Sequence, residues 1–408
     1  MQYCVIMLKT PICGYQDAEG CLSVVDRAVS EKNNTLKNKK GTGIIIYHIM
    51  EGFKNIDIKN FRGIKHLSID DFSRVNVFLG QNNSGKSSVL EAILLLAGMS
   101  NPDLPLSLNK ARTRIFRIAN LQDVRYQFNN LNLKNTPEFS SQQMDGVSRH
   151  LQMRLFHTET ADDYTQSIDE PLILTETVRM PNTLELLFDI TTANGTKHFR
   201  SSLFFNQSDA ASRQESKEYI EKNYAVLFSA DLLSNNLAND LSELFKRKQK
   251  NILLEHLQKF DTRINALEIL NNDVYIGFDD IKEMLPVSMS GDGLRRYLNI
   301  IAGSANPCNT MILIDEIDNG LHYSAYKKLW EAIFALSAAT NKQVFITTHS
   351  KETLCSLNGM LEEHPEYQQD MRLYTIAKTL KKGHQAYKYT YEGLSGACEN
   401  NVELRGMA

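Results

Sequence analysis

No stretch of this chain reaches the roughly 18 consecutive apolar residues that a membrane-spanning helix needs. Its N-terminus also lacks the charged, apolar and small-residue succession of a secretory signal, so a cytoplasmic location is the expectation. Cysteine is sparse: six among 408 residues, Cys4, Cys13, Cys21, Cys308, Cys355 and Cys398, with no C-x-x-C or C-x-x-H spacing. That leaves free thiols rather than a zinc ligand set. The net charge is only -3, which argues against a generally basic protein that coats nucleic acid, although a local patch stays open. Internal repeats and sustained heptads are missing too, so no long coiled coil is expected.

What is present suits a large globule. With 42% hydrophobic and 23% charged residues the chain can bury a sizeable core and has room for two or three lobes. Residues 1–49 include the polar and basic run Glu31 to Lys40 and are expected to be a poorly ordered extension, ahead of one ordered unit over residues 50–408. From Phe53 to Phe61 apolar and polar residues alternate as in a half-buried strand, and a second strand is expected at Ile64 to Ile69.

The stretch Val75 to Ser88 reads as a buried strand running into a phosphate-binding loop. It fills every fixed position of G-x-x-x-x-G-K-[ST]. Gly80 and Gly85 let the backbone fold around anionic oxygens, with Asn82, Asn83 and Ser84 between them; Lys86 reaches the β- and γ-phosphates, and Ser87 is the expected Mg²⁺ ligand beside Ser88. The apolar run Val89 to Leu96, closed by Gly98, predicts a helix whose N-terminus points free N–H groups at the phosphates.

Signals are weak from there to about residue 185. Strand periodicity returns at Leu184 to Ile190 and Lys197 to Phe205, around the hairpin turn Ala193-Asn194-Gly195. A helical region is expected from about Ser216 to Leu270, including Leu241 to Phe260, as part of a helical lobe over about 216–305. Its basic cluster Lys246-Arg247-Lys248-Gln249-Lys250 reads first as a solvated helix face, and second as a nucleic-acid contact.

Three later segments complete the chemistry. Thr310 to Glu316 is an apolar run followed by two carboxylates. Alone it would be an ordinary strand end; after a phosphate loop it reads as a central strand delivering Asp315 to Mg²⁺ and Glu316 to the attacking water as base. That requires the strand to end at Asp315, so that Glu316 turns toward the γ-phosphate. Val344 to Ser350 is a second short buried strand ending near His349. A crossover through a helix at Ala325 to Leu336 would set this imidazole beside the acids, where it can donate to the γ-phosphate or its water. Pro286 to Arg296 is small and flexible and leads into a helix at Leu298 to Ala302. It is either a plain turn and cap or a second anion-binding helix start, one that serves a neighbouring subunit's nucleotide.

In this order the motifs resemble the ABC-type ATPases. The details Phe61-Arg62-Gly63-Ile64, Gln81-Asn82-Asn83-Ser84 and Asp315-Glu316-Ile317-Asp318-Asn319-Gly320-Leu321-His322 look like the RecF/SMC/OLD-like branch, proteins with an AAA ATP-binding domain. The resemblance implies an α/β fold, a P-loop NTPase of ABC-head type with a mixed central sheet flanked by helices, an antiparallel β subdomain and a helical lobe. It implies ATP and Mg²⁺ as ligands and two heads that sandwich two nucleotides. By motif match it assigns Arg62 to the nucleotide, Lys86, Glu316 and His349 to catalysis, and Ser290 and Gly291 to the contact in trans. The active serine is Ser288 or Ser290, and Ser290 is favoured because it directly precedes the glycine. The family's glutamine has two candidates, Gln122 and Gln127. With fewer than sixty residues after His349, no TOPRIM nuclease domain is expected. The implied activity is Mg-dependent ATP hydrolysis that switches a partner, a separately encoded nuclease or toxin or DNA itself, in anti-phage defence. The alternatives are an ATP-binding scaffold without turnover and a DNA-repair ATPase of RecF type.

Overall fold

The structure, a computed structural model, describes residues 52–113, 121–158, 181–205, 211–229, 237–306, 309–379 and 381–405. The extension expected over residues 1–49 lies outside them. The first alternation becomes β1 (Ile56–Phe61), with Ile56, Ile58 and Phe61 turned inward, and β2 (Ile64–Ile69) folds back on it. Next comes β3 (Val75–Leu79), buried at every residue, which runs through the loop into α1 (Lys86–Ala97). α2 (Leu104–Thr113) is next in the chain.

Five strands then arise in sequence: β4 (Glu138–Gln142), β5 (Ser148–Phe156), β6 (Thr183–Thr192), β7 (Gly195–Phe205) and β8 (Ala211–Gln214). With β1 and β2 they form an antiparallel sheet in the order β2-β1-β4-β5-β6-β7-β8. The expected hairpin closes β6 onto β7, with Thr192 opposite Gly195.

The helical expectation for 216–270 is corrected. Within it lie β9 (Ala225–Phe228), α3 (Leu237–Lys246), α4 (Lys250–Phe260) and β10 (Ile264–Leu270), which pairs with β11 (Asp273–Phe278). The hairpin wins because Asn271 and Asn272 both take positive φ, 51° and 63°, the turn geometry that matches the twist of paired strands. The short β12 (Leu285–Pro286) completes that small sheet. α5 (Asp292–Ala305) is longer than expected, and β13 (Met311–Ile314), α6 (Tyr326–Thr340) and β14 (Gln343–Thr347) come after it. The chain ends through α7 (Lys351–Glu363), β15 (Met371–Thr379), β16 (Gly383–Tyr389) and α8 (Tyr391–Glu399).

The second large sheet has the order β16-β15-β3-β14-β13-β9, parallel except at β16. Both faces are covered, as a parallel sheet requires. Val75, Val77, Ile312, Ile314, Val344 and Ile346 face α5, α6 and α7, while Phe78, Met311, Leu313 and Phe345 face α1. α1 is buried from Val89 to Ala97 because it lies between this sheet and the antiparallel one. Its C-terminus is held by Arg149 of β5, whose guanidinium donates to the carbonyls of Leu96 and Ala97 at 3.1 Å and to both oxygens of buried Glu221 at 2.8 and 2.9 Å. A paired cation at the negative end of the helix ties the phosphate-loop helix to the antiparallel sheet.

Candidate functional site

The loop between β3 and α1 depends on two backbone positions. Gly80 has φ +145°, and an added methyl group there would lie 2.4 Å from the carbonyl oxygen of Ile376 and 2.6 Å from Ser84 Oγ. Gly85 opens α1 with φ +102°, which L side chains rarely adopt. Gln81, Asn82 and Asn83 are exposed, whereas Ser84 is buried and its hydroxyl has no hydrogen-bond partner among the described residues. Ser88 lies on the first turn of α1. Lys86 is buried and donates to the carbonyls of Gly80 and Gln81 at 2.8 and 2.9 Å. Burial lowers its pKa, and the carboxylates of Asp315, Glu316 and Asp318 oppose that by favouring the ammonium.

β14 lies between β3 and β13, and this order brings the two expected metal ligands together. Ser87 Oγ donates to Asp315 Oδ1 at 3.0 Å, and Thr347 Oγ1 donates to the same oxygen at 2.6 Å. Both expected ligands are hard oxygen donors, the set Mg²⁺ takes alongside substrate phosphates and water. Among the described residues no group of three or more His, Cys, Asp or Glu side chains is placed to hold a metal. A cation here would therefore need phosphate oxygens as well.

Glu316 leaves the strand in a left-handed conformation, φ +49°. Both flanks of that turn are fixed. The Glu316 N–H donates to Thr347 Oγ1 at 2.8 Å, and the carbonyls of Asp315 and Glu316 each accept from Arg296 Nη2 at 2.7 Å. A non-glycine residue at positive φ is strained, and here the surrounding bonds over-determine it. The strand ends at Ile314, one residue earlier than expected. Arg296 and Thr347 have no motif of their own; the bonds that make them matter run to main-chain groups and become visible only with the fold.

The other expected residues have contacts of their own. His349 is half exposed and lies just past the end of β14. The acid it approaches is Asp318, Nε2 to Oδ2 3.9 Å, and Asp318 in turn accepts from Thr348 Oγ1 at 2.5 Å. Arg62 sits on the β1–β2 turn with its Nε on Glu91 of α1 at 2.5 Å. Gln127 is buried and donates to the Pro105 carbonyl at 2.6 Å; the side chain of Gln122 lies outside the described ones. Ser290 donates to the Val287 carbonyl at 2.6 Å, and exposed Gly291 immediately precedes α5. Ser288 is exposed on the same turn. In the basic cluster, Lys246 pairs with Glu243 at 2.7 Å and Lys250 with Glu268 at 2.5 Å, so part of its charge is internally matched. His384 of β16 carries no motif in the sequence: its buried ring packs beside Gly85, and burial together with Lys378 lowers its pKa.

Since Arg296 links the helix after Ser290 to the turn that aims Glu316, Arg296→Met should destabilise the fold by about 2–4 kcal/mol through stranded carbonyls. It should also slow hydrolysis at saturating ATP. Urea unfolding and phosphate release measure the two effects; an unchanged unfolding midpoint would refute the link.

The model of the AAA ATPase domain family matches residues 53–354. An ATP/GTP phosphatase of Helicobacter pylori is 26% identical over 332 residues, covering 76% of this chain and 88% of that protein. The DNA replication and repair protein RecF of Lactococcus lactis is 50% identical over 44 residues, a match of 11% of this chain and 12% of RecF. A solved Smc head domain with an extended coiled coil, bound to the C-terminal domain of ScpA derived from Pyrococcus furiosus, is a distant structural neighbour. It has TM-score 0.44 and 12% identity over 87% of this chain and 100% of that one. With most of its length inside the family model, and with the phosphate loop and the strand before Asp315 and Glu316 in one sheet, the chain belongs to the AAA ATPase domain family.

Proposed function

We propose that residues 50–408 form one ATPase head that binds ATP with Mg²⁺ and hydrolyses it. The observation that carries this is the 3.0 Å contact between Ser87 and Asp315, residues 228 positions apart in sequence, directly beside Lys86 and Glu316. In this reading Gly80 to Ser88 wrap the phosphates with main-chain N–H groups, and Lys86 exchanges its carbonyl partners for phosphate oxygens. Ser87 and Asp315 would hold Mg²⁺, which when bound neutralises charge on the β- and γ-phosphates. Glu316, aimed by Arg296 and Thr347, orients the attacking water and takes its proton. His349 donates to the γ-phosphate or that water, with Asp318 behind it. The H. pylori relative's name extends the candidate substrates to GTP.

The head-to-head dimer belongs to the same proposal. Met289 and Tyr323 are 78% and 69% exposed, and they flank Ser290 and the turn after the acids, where a second copy would dock. ATP-driven pairing would then switch a partner, a nuclease or toxin or a DNA-associated effector, in defence or in repair.

Hydrolysis should require a divalent cation. Phosphate release measured with Mg²⁺ should disappear in excess EDTA and return when Mg²⁺ is added back. Turnover that ignores the chelator would overturn the assignment of Ser87 and Asp315.

A further inference from the structure

Away from the nucleotide site two thiols meet. Cys355 is exposed near the start of α7, and Cys398 is half-buried in the last turn of α8, packed against the core. The two helices pack together and make the two thiols neighbours. Burial and the neighbouring thiol push Cys398 up to about 11. At neutral pH it is therefore the protonated, protected member, and Cys355 is the one that solvent reaches. Lys351 and Glu362 are the charged groups beside Cys398.

Beyond α8 the chain returns across the start of α7. Lys351 bonds Asn401, the Leu404 carbonyl accepts from Thr375, and Arg405 Nη1 donates to the His349 carbonyl at 3.0 Å. The seat of α8 on α7 thus sets the path of the segment that rests on His349.

We propose that Cys355 and Cys398 form a modification site, a dithiol that hydrogen peroxide converts into an intramolecular disulfide joining α7 to α8. The Cys355 thiolate attacks one peroxide oxygen; the O–O bond breaks, and the departing hydroxide takes a proton to become water. The sulfur is left as a sulfenic acid. Cys398, giving its proton to solvent, attacks that sulfur and expels the second hydroxide, which also leaves as water. Two thiols and one peroxide become one disulfide and two waters, with two electrons passing from sulfur to oxygen. The reaction is set up within one chain because the thiols are neighbours on two helices that pack together. Nucleotide binding plays no part in it, so it stands or falls separately from the ATPase reading.

The test uses the full-length protein, both wild type and with Cys4, Cys13, Cys21 and Cys308 replaced by serine. After stoichiometric peroxide, remaining thiols are alkylated and peptides are mapped without reduction. The expected product is a Cys355–Cys398 linked peptide pair from a chain that stays monomeric on a non-reducing gel. It should vanish with dithiothreitol and be missing in Cys355→Ser and in Cys398→Ser. The cross-link should also raise the melting temperature by constraining the unfolded chain. Sulfinic acid at Cys355 with Cys398 still alkylated, a bond between two chains, or no loss of thiols would each overturn the proposal. Peptide mapping of the wild type keeps the answer available should the four-serine protein fail to fold.

Discussion

Glu316→Gln is expected to bind ATP normally and to hydrolyse it about 10²- to 10⁴-fold more slowly, the range that general acid–base catalysis contributes. The substitution is well suited to the question because the turn is held by main-chain groups. The residue 316 N–H stays on Thr347 and its carbonyl stays on Arg296, so the amide occupies the place of the carboxylate. What it lacks is the capacity to accept the proton of water. If two heads enclose the nucleotide, trapped ATP should also hold them together, since a ligand that binds only the pair stabilises the pair. Light scattering of Glu316→Gln should then show a doubled mass with Mg-ATP and a single one without. Ser290→Arg in the same chain should abolish the shift by placing a bulky cation at the start of α5. Undiminished hydrolysis by Glu316→Gln would move the base elsewhere, and a mass indifferent to nucleotide would remove the sandwich.

Lys86→Ala should lose ATP affinity by more than about a hundredfold, because a buried cation paired with phosphate is worth several kcal/mol. No other side chain in the loop carries positive charge. The protein should still fold: among the described residues the ammonium hydrogen-bonds to the carbonyls of Gly80 and Gln81, and the loop is shaped mainly by its glycines. Titration with a fluorescent ATP analogue, alongside a circular dichroism melt, separates loss of binding from loss of structure. A folded Lys86→Ala chain that keeps its affinity would remove the phosphate assignment.

Legibility depended on how local each signal was. β3, the phosphate loop and α1 are contiguous, so buried strand, glycine-bounded loop and apolar helix could be read together. β4 and β5 could not, because their inward faces include Ser141 and Arg149, and a charged residue on the buried face breaks the alternation that marks a strand. The stretch Ile264 to Leu270 misled in the opposite direction. Its apolar residues at 264, 267 and 270 fit a helical face, while the turn at Asn271-Asn272 that makes it a strand lies just past it. In the site the residues expected to meet phosphate and metal were chosen from motif spacing. Arg296, Thr347 and Asp318 were not, since their importance lies in the partners that folding gives them.

The strand order also has a consequence for synthesis. β3 is paired with β14 on one side and β15 on the other, strands that leave the ribosome long after it. At roughly 5–20 residues per second, β3 and its loop wait on the order of 15–60 s for their neighbours. The β1–β2 hairpin and the meander from β4 to β8 can pair in the meantime, as their contacts are close in sequence. A nascent chain that pairs in this order carries an apolar β3 with both edges open while the antiparallel strands are pairing. In that interval protection must come from α1 and the antiparallel sheet packing over one face of β3, or from a chaperone.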